Sequence, residues 1–353
     1  MTTRDLQGRG TGIQPPNRFE ELHFEPDPDL EPDEDGLPVP TKYYRDASRS
    51  VLAENQSPDV GFRFSLNPYR GCMHGCIYCY ARPSHEYLGF DAGLGFETRI
   101  MVKDDAPELL RAAFRSARWQ PQVVALSGNT DCYQPVERRL GLTRRCLEVF
   151  AEFANPVGVI TKSALVTRDK DLLAELARQR CAQVRVSVTT LDPDLARRME
   201  PRASTPARRL EAIAALAAAG VPTGVMVAPI IPGLNDAEIP SILREAARAG
   251  ARSASWTLLR LAPPNDVLFV EWLDRHLPLR RDKVLHRIRE TRDGRISDSA
   301  FGRRMRGQGE YARQIRALFE AGARRHQLDG SLPEYDTTSF RRPPKAGDQL
   351  ALL

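Results

Sequence analysis

Long apolar runs are missing from this sequence: nothing approaches the ~18 residues a membrane-spanning helix needs, so no membrane partner is expected. The opening stretch from Met1 to Gly10 has no apolar centre, and no secretory leader is read there. Cysteine is scarce, with six in 353 residues: three clustered at 72, 76 and 79, and three scattered at 132, 146 and 181. Such spacing excludes a disulfide framework and fits a reducing, cytoplasmic setting. No Gly-x-Gly-x-x-Gly follows a strand-like stretch, which argues against a dinucleotide-binding sheet.

The composition is that of an ordinary globular chain, 41% hydrophobic and 27% charged, with material for one large domain plus additions. The net charge of +5 is unevenly spread. Residues 20–35 carry nine Asp or Glu and no Lys or Arg, whereas residues 267–330 carry 15 Arg or Lys against nine Asp or Glu. A basic part is what a nucleic-acid contact would use. Its mixed sign favours a solvated helical face instead, and Trp272 and Tyr311 are its few stacking candidates.

The most informative stretch is Cys72-Met73-His74-Gly75-Cys76-Ile77-Tyr78-Cys79. Iron–sulfur clusters are held by Cys thiolates, usually four. Three would leave one iron of a cube open to a small molecule. Gly71 and Gly75 suit a loop that must turn tightly around a cluster. Alternatives are a zinc knuckle with His74 as fourth ligand, or a redox cysteine pair.

Along the chain, residues 1–55 read as an acidic, Pro-rich and largely disordered extension, with 41–60 leading into the core. Strand-like stretches follow at 62–67, 122–127, 157–162, 183–190, 223–228 and 253–261. Helical spacing falls between them at 78–88, 136–153, 169–179, 205–219 and 236–249. Strands alternating with helices predict an α/β fold of parallel units, a partial (β/α)6 TIM-like barrel over 56–262. Helices over 267–277, 281–292 and 303–327 form a C-terminal cap within 263–330, and 331–353 reads as a flexible tail.

In parallel barrels the site is built at the C-terminal ends of the strands. That rule singles out Ser127 and Thr130 after strand two, Lys162 closing strand three, and Ser187 with Thr189 on strand four. Each also has a plainer role: helix cap, surface cation or satisfied core hydroxyl.

At its cysteine run the sequence resembles the radical S-adenosylmethionine superfamily, whose signature is CxxxCxxC with an aromatic before the last Cys. The resemblance implies a [4Fe–4S] cluster on Cys72, Cys76 and Cys79, with S-adenosylmethionine on its open iron. It further implies that Tyr78, Ser127, Thr130, Lys162 and Ser187 line the cofactor site, and that a flavodoxin- or ferredoxin-type donor supplies electrons. The chain also resembles the spore photoproduct lyase-like branch, often labelled DNA repair photolyases, through Asn67 to Tyr80 and Thr130 to Pro135. Lyases of that type keep a hydrogen-donor Cys after strand two, where this sequence has Gly128. Cys132 is the candidate displaced donor, so repair lyase activity stands as an alternative to a radical enzyme of unidentified substrate. His85 and Glu86 are candidate substrate contacts. A non-catalytic cluster or zinc protein that binds nucleic acid or relays electrons is the reading from another class; a relay needs a fourth ligand from Cys132, Cys146 or Cys181.

Overall fold

The computed structural model describes residues 8–13, 15 and 39–343. The expected disorder of the acidic stretch at 16–38 and of 344–353 lies outside the described residues. Six strands run parallel in sequence order: β3 (Phe64–Leu66), β6 (Val124–Leu126), β7 (Val157–Thr161), β8 (Ala182–Ser187), β9 (Thr223–Ile230) and β10 (Ser253–Leu258). β2 (Leu52–Glu54) adds antiparallel to the outer edge of β3. No pairing joins β10 back to β3, so the barrel is open, as the sequence pattern predicts.

Each strand is short because it need only cross the core. Val157, Val159, Val184, Val186, Val225 and Val227 are buried with Leu66 and Leu126 in one continuous cluster. Every such side chain withdrawn from water contributes about 1.5–3 kcal/mol. Outside the strands lie α4 (Leu142–Phe153), α5 (Lys170–Arg178), α7 (Pro206–Ala218) and α8 (Ile239–Arg248). In α8 the buried positions are Ile239, Ile242, Leu243 and Ala246, one helical face. Thr205 caps α7 by accepting from the Arg208 N–H, as its place before Pro206 suggests.

Several boundaries differ from the sequence reading. The single helix expected over 136–153 is two, α3 (Glu137–Leu140) and α4, because Gly141 turns the chain at φ 62°. The last helix, α11 (Gly309–Arg325), starts later than 303, since Gly302, Gly307 and Gly309 hold positive φ. A second small sheet was not foreseen: β5 (Arg99–Val102) lies between β1 (Lys42–Arg45) and β4 (Tyr69–Arg70). Its strand β1 comes from the 41–60 lead-in, within an extension expected to be largely disordered. Helices α1 (Leu94–Thr98), α2 (Ala106–Arg115) and α6 (Pro193–Met199) complete the core, and α9 (Asn265–His276) and α10 (Arg281–Glu290) precede α11 in the expected cap.

The open side of the barrel is latched by side chains. Asp59, between β2 and β3, accepts from Gly302 N–H at 2.7 Å and pairs with the Arg304 guanidinium, which also donates to Ser57 at 2.5 Å. The free edge of β10 is met by Leu328 O on Ala254 N–H and Met305 O on Leu258 N–H, both 2.8 Å.

Residues 331–343 are not loose, contrary to the expected tail. Pro333 O accepts from Gln183 Nε2, and Phe340 meets the rings of Phe114 and Phe153 at 6.2 and 6.1 Å. Arg342 donates to the carbonyls of Phe114, Ser116 and Trp119. The segment lies across the N-terminal ends of β7 and β8. Its aromatic and arginine side chains do the anchoring, a pattern that periodicity does not reveal. Among the described residues no helix is long and apolar enough to cross a membrane.

Candidate active site

The loop from Gly71 to Cys79 leaves the C-terminal side of the first barrel strand and is gripped from four directions. Gly71 and Gly75 take φ of 80° and 67°, which L side chains rarely adopt. Gln134 accepts from Met73 N–H at 3.0 Å and donates to Gly71 O at 3.1 Å. Met199 O, at the end of α6, accepts from Ile77 N–H at 3.0 Å. Arg82 Nε donates to Cys76 O, and Asn265 Nδ2, opening α9, donates to Cys79 O at 2.7 Å. With its carbonyls and amides so engaged, the loop has little freedom left to place its thiols elsewhere.

All three cysteines are free thiols; Cys72 and Cys76 are buried and Cys79 is partly so. Burial raises all three above the ordinary thiol range, and at Cys72 and Cys76 the charge of neighbouring thiols on ionisation adds to this. Backbone N–H groups work the other way: those of His74 and Asp131 at Cys72, and of Ala81 and Arg82 at Cys79. Such contacts favour thiolate and are among the hydrogen bonds that tune cluster sulfurs. Among the described residues no three His, Cys, Asp or Glu side chains converge closely enough to hold one metal ion. A zinc ion draws its thiolates to about 2.3 Å. Three thiols with backbone N–H groups at two of them, and His74 engaged by Asp131, fit a cluster better than a zinc knuckle.

His74 is not a free fourth ligand. Its Nδ1 lies 3.5 Å from Asp131 Oδ2, and burial lowers its pKa to about 4, which keeps it neutral. Asp131 also accepts from Thr161 Oγ1, Lys162 N–H and Tyr133 N–H. One carboxylate thereby ties the ends of β6 and β7 to the cysteine loop. It stands inside a run already conspicuous in the sequence, but only the fold shows what it joins.

Tyr78 has the most constrained setting. Its hydroxyl contacts Thr189 Oγ1 at 3.2 Å and donates to Glu200 Oε1. Thr189 Oγ1 donates to the same oxygen at 2.7 Å, and the other oxygen of Glu200 pairs with Arg209. Arg209 further donates to Ser187 O and Ser204 O. Glu200 and Arg209 are both buried. Burial raises the Glu200 carboxyl while Arg209 pulls it down. Lys162 Nζ stands 5.7 Å from the centre of the Tyr78 ring, which brings the end of β7 to the cysteine loop.

The remaining sequence candidates are used differently. Thr130 Oγ1 donates to Tyr69 O at 2.6 Å, and Ser127 Oγ accepts from Cys132 N–H at 2.6 Å, with Ser127 itself at φ 79°. The Ser127 hydroxyl holds its own loop in shape, and that of Thr130 ties the loop to β4 just before the cysteine run. Ser187 is buried at the end of β8, where its carbonyl accepts from Arg209. Cys132 is fully buried in the main apolar core, where burial raises its thiol well above the ordinary range. Its setting is that of a packing residue. A Cβ at Gly128 would meet Ser65 Cβ at 2.6 Å, so a side chain there requires β3 to give way. His85 and Glu86 are buried; the His85 ring sits between Phe90 and Phe96, centroids 5.2 and 5.6 Å away, with its pKa lowered by burial to about 4. Trp272 is fully buried and Tyr311 donates to Asp236, so neither is a free stacking platform.

A cover over the loop went unread in the sequence. Arg82 and Glu97, both fully buried, pair at 2.5 Å. Glu97 Oε2 accepts from Gly10 N–H at 3.1 Å, and Arg9 donates to Glu97 O, Val39 O and Thr41 Oγ1. A Cβ on Gly10 would lie 1.7 Å from Gly75 O. Gly10→Ala is therefore expected to lift residues 8–13 off the loop. The buried Arg9 should then become a site of rapid trypsin cleavage, seen by mass spectrometry; equal rates in variant and parent would show that the cover does not depend on this contact.

An open parallel barrel with a thiol-bearing loop at the end of its first strand defines a class of enzyme that leaves its difficult chemistry to a bound cofactor. The chain belongs to the radical S-adenosylmethionine superfamily: residues 66–246 match the model of that family. Its cofactors are those of the family, a [4Fe–4S] cluster and S-adenosylmethionine, and the enzymes of this family require an external reductant. An uncharacterised protein of Mycobacterium tuberculosis is 39% identical over 243 residues, 67% of this chain and 70% of its own length. An uncharacterised protein of Methanocaldococcus jannaschii is 28% identical over 184 residues, 52% of this chain and 66% of its own. Among solved structures, spore photoproduct lyase complexed with dinucleoside spore photoproduct superposes with a TM-score of 0.57 at 16% identity, over 80% of this chain and 79% of that one. This likeness is one of fold.

Proposed function

We propose that Cys72, Cys76 and Cys79 are the cluster ligands and that Tyr78 and Lys162, with the ends of β6 and β8, form the S-adenosylmethionine site. The observation that carries this reading is three thiols on one short loop at the C-terminal end of the first barrel strand, Cys72 and Cys76 buried and Cys79 partly so, with backbone N–H groups aimed at two of them. When bound, the cluster supplies the single electron that breaks a C–S bond of S-adenosylmethionine to give methionine and a 5′-deoxyadenosyl radical. The protein's part is binding, orientation and exclusion of water. Tyr78, held through its hydroxyl, offers a fixed ring face. Lys162 offers a cation for the carboxylate or ribose of the cofactor. Thr130 and Ser127 act by shaping the loop that borders the site, and Ser187 through its carbonyl, which accepts from Arg209.

The reductant in this reading is a flavodoxin- or ferredoxin-type protein, and the setting is the cytoplasm. The test is anaerobic: reconstituted protein with dithionite and S-adenosylmethionine should release 5′-deoxyadenosine, detected by chromatography. Protein that takes up a full complement of iron and sulfide but releases none would overturn the proposal.

A further inference from the structure

The stretch that joins β10 to α9 leads from the end of the sixth strand back to the cysteine loop, where Asn265 donates to Cys79 O. Within it Arg260 is only partly exposed, and its guanidinium makes no hydrogen bond or ion pair with any described residue; its Nε is buried without a partner. Its surroundings make this costly. Burial lowers the pKa of Arg260, Arg304 acts on it as a like charge, and Arg260 in turn acts as a like charge on Arg292. The nearby carboxylate, Asp59, is already engaged by Gly302 N–H and Arg304. Arg292 is itself buried and satisfied by the carbonyls of Leu259 and Arg303. On the open side stands Tyr80, next to Cys79 in sequence and 50% exposed, with its hydroxyl on Gly128 O at the end of β6.

A guanidinium partly removed from water, facing a like charge and without a partner of its own, is stabilised by an anion. Its planar fork matches two oxygens of one group. We propose that Arg260 is a substrate-anion site at the barrel mouth, taking an oxyanion, phosphate or carboxylate, that the substrate carries beside the cysteine loop. This rests on the proposed function for its location, since the neighbouring cysteines are what make the mouth a reaction site.

The test is calorimetric titration of cluster-loaded protein saturated with S-adenosylmethionine, with inorganic pyrophosphate in one arm and citrate in the other. The parent protein should bind at least one of them. Preference for pyrophosphate identifies a phosphate-bearing substrate, and preference for citrate a carboxylate-bearing one. Arg260→Gln should weaken that binding by about tenfold or more, the loss of a charge-assisted bidentate contact. Arg260→Lys, which keeps charge but not the fork, should fall between. Iron and sulfide content, measured on the same samples, reports whether each variant has folded around its cluster. Equal affinity in parent and both variants, or no binding of either anion by the parent, overturns the assignment. Release of 5′-deoxyadenosine by the parent without any added anion reads the cofactor site alone, so a protein that releases it yet ignores both anions fails only on Arg260.

Discussion

Alanine at any one of Cys72, Cys76 or Cys79 is expected to reduce iron and sulfide content to near zero and 5′-deoxyadenosine release to background. On the proposed ligand set three thiolates hold the whole cluster and there is no spare: among the described residues Cys132, Cys146 and Cys181 are the only other cysteines, and all three are buried away in the main core. The fold should survive, because the loop is held through backbone groups of Gly71, Met73, Cys76, Ile77 and Cys79 that alanine retains. Circular dichroism should therefore match the parent while the brown absorbance is lost. Cys132→Ala is the contrasting variant: it removes a buried thiol from the core, at about 1 kcal/mol of stability, and should keep the cluster. Cluster loss in Cys132→Ala together with retention in Cys79→Ala would reverse the ligand assignment.

The second large effect belongs to Glu200. Glu200→Ala would leave Arg209, 1% exposed, without its carboxylate. Stripping one partner from a buried pair costs about 3–5 kcal/mol. It would also release the hydroxyls of Tyr78 and Thr189, so the surviving folded protein should bind S-adenosylmethionine more weakly. Glu200→Gln can still accept from Tyr78 and Thr189 and should be milder on both counts. Urea denaturation gives the first quantity and an equilibrium S-adenosylmethionine titration the second. A loss below about 1 kcal/mol for the alanine variant would mean that the pair is no more than a surface-like contact.

The barrel was legible because its strands need little context. A run such as Val157 to Thr161 is apolar, short and followed by a helical repeat, and only parallel units satisfy that order. What escaped the sequence was held by single residues across long separations. Tyr78 was picked out as the motif aromatic, but Glu200, which holds it, lies 122 positions on, in an unremarkable Met-Glu-Pro turn. Strand β1, exposed at every position, has no inward face to give it a period. The hydroxyls of Ser127 and Thr130 were placed at the right end of the barrel, but their partners, Cys132 N–H and Tyr69 O, are backbone atoms that sequence does not display. Arg260 carried no signal at all in a sequence with 51 Lys and Arg; its lack of a partner exists only in three dimensions.

The latch between Asp59 and Arg304 spans 245 positions, which gives it a meaning for biosynthesis. At ribosomal rates of 5–20 residues per second, Arg304 is polymerised roughly 12–50 s after Asp59. Until then the nascent barrel has a slit along its side and bare strand edges of the kind that recruit other chains. The same timing separates β10 from Met305 and Leu328, the residues that will sheathe it. Nascent chains stalled between residues 259 and 303 should hence be far more prone to clump than those stalled after 330, although both contain all six parallel strands.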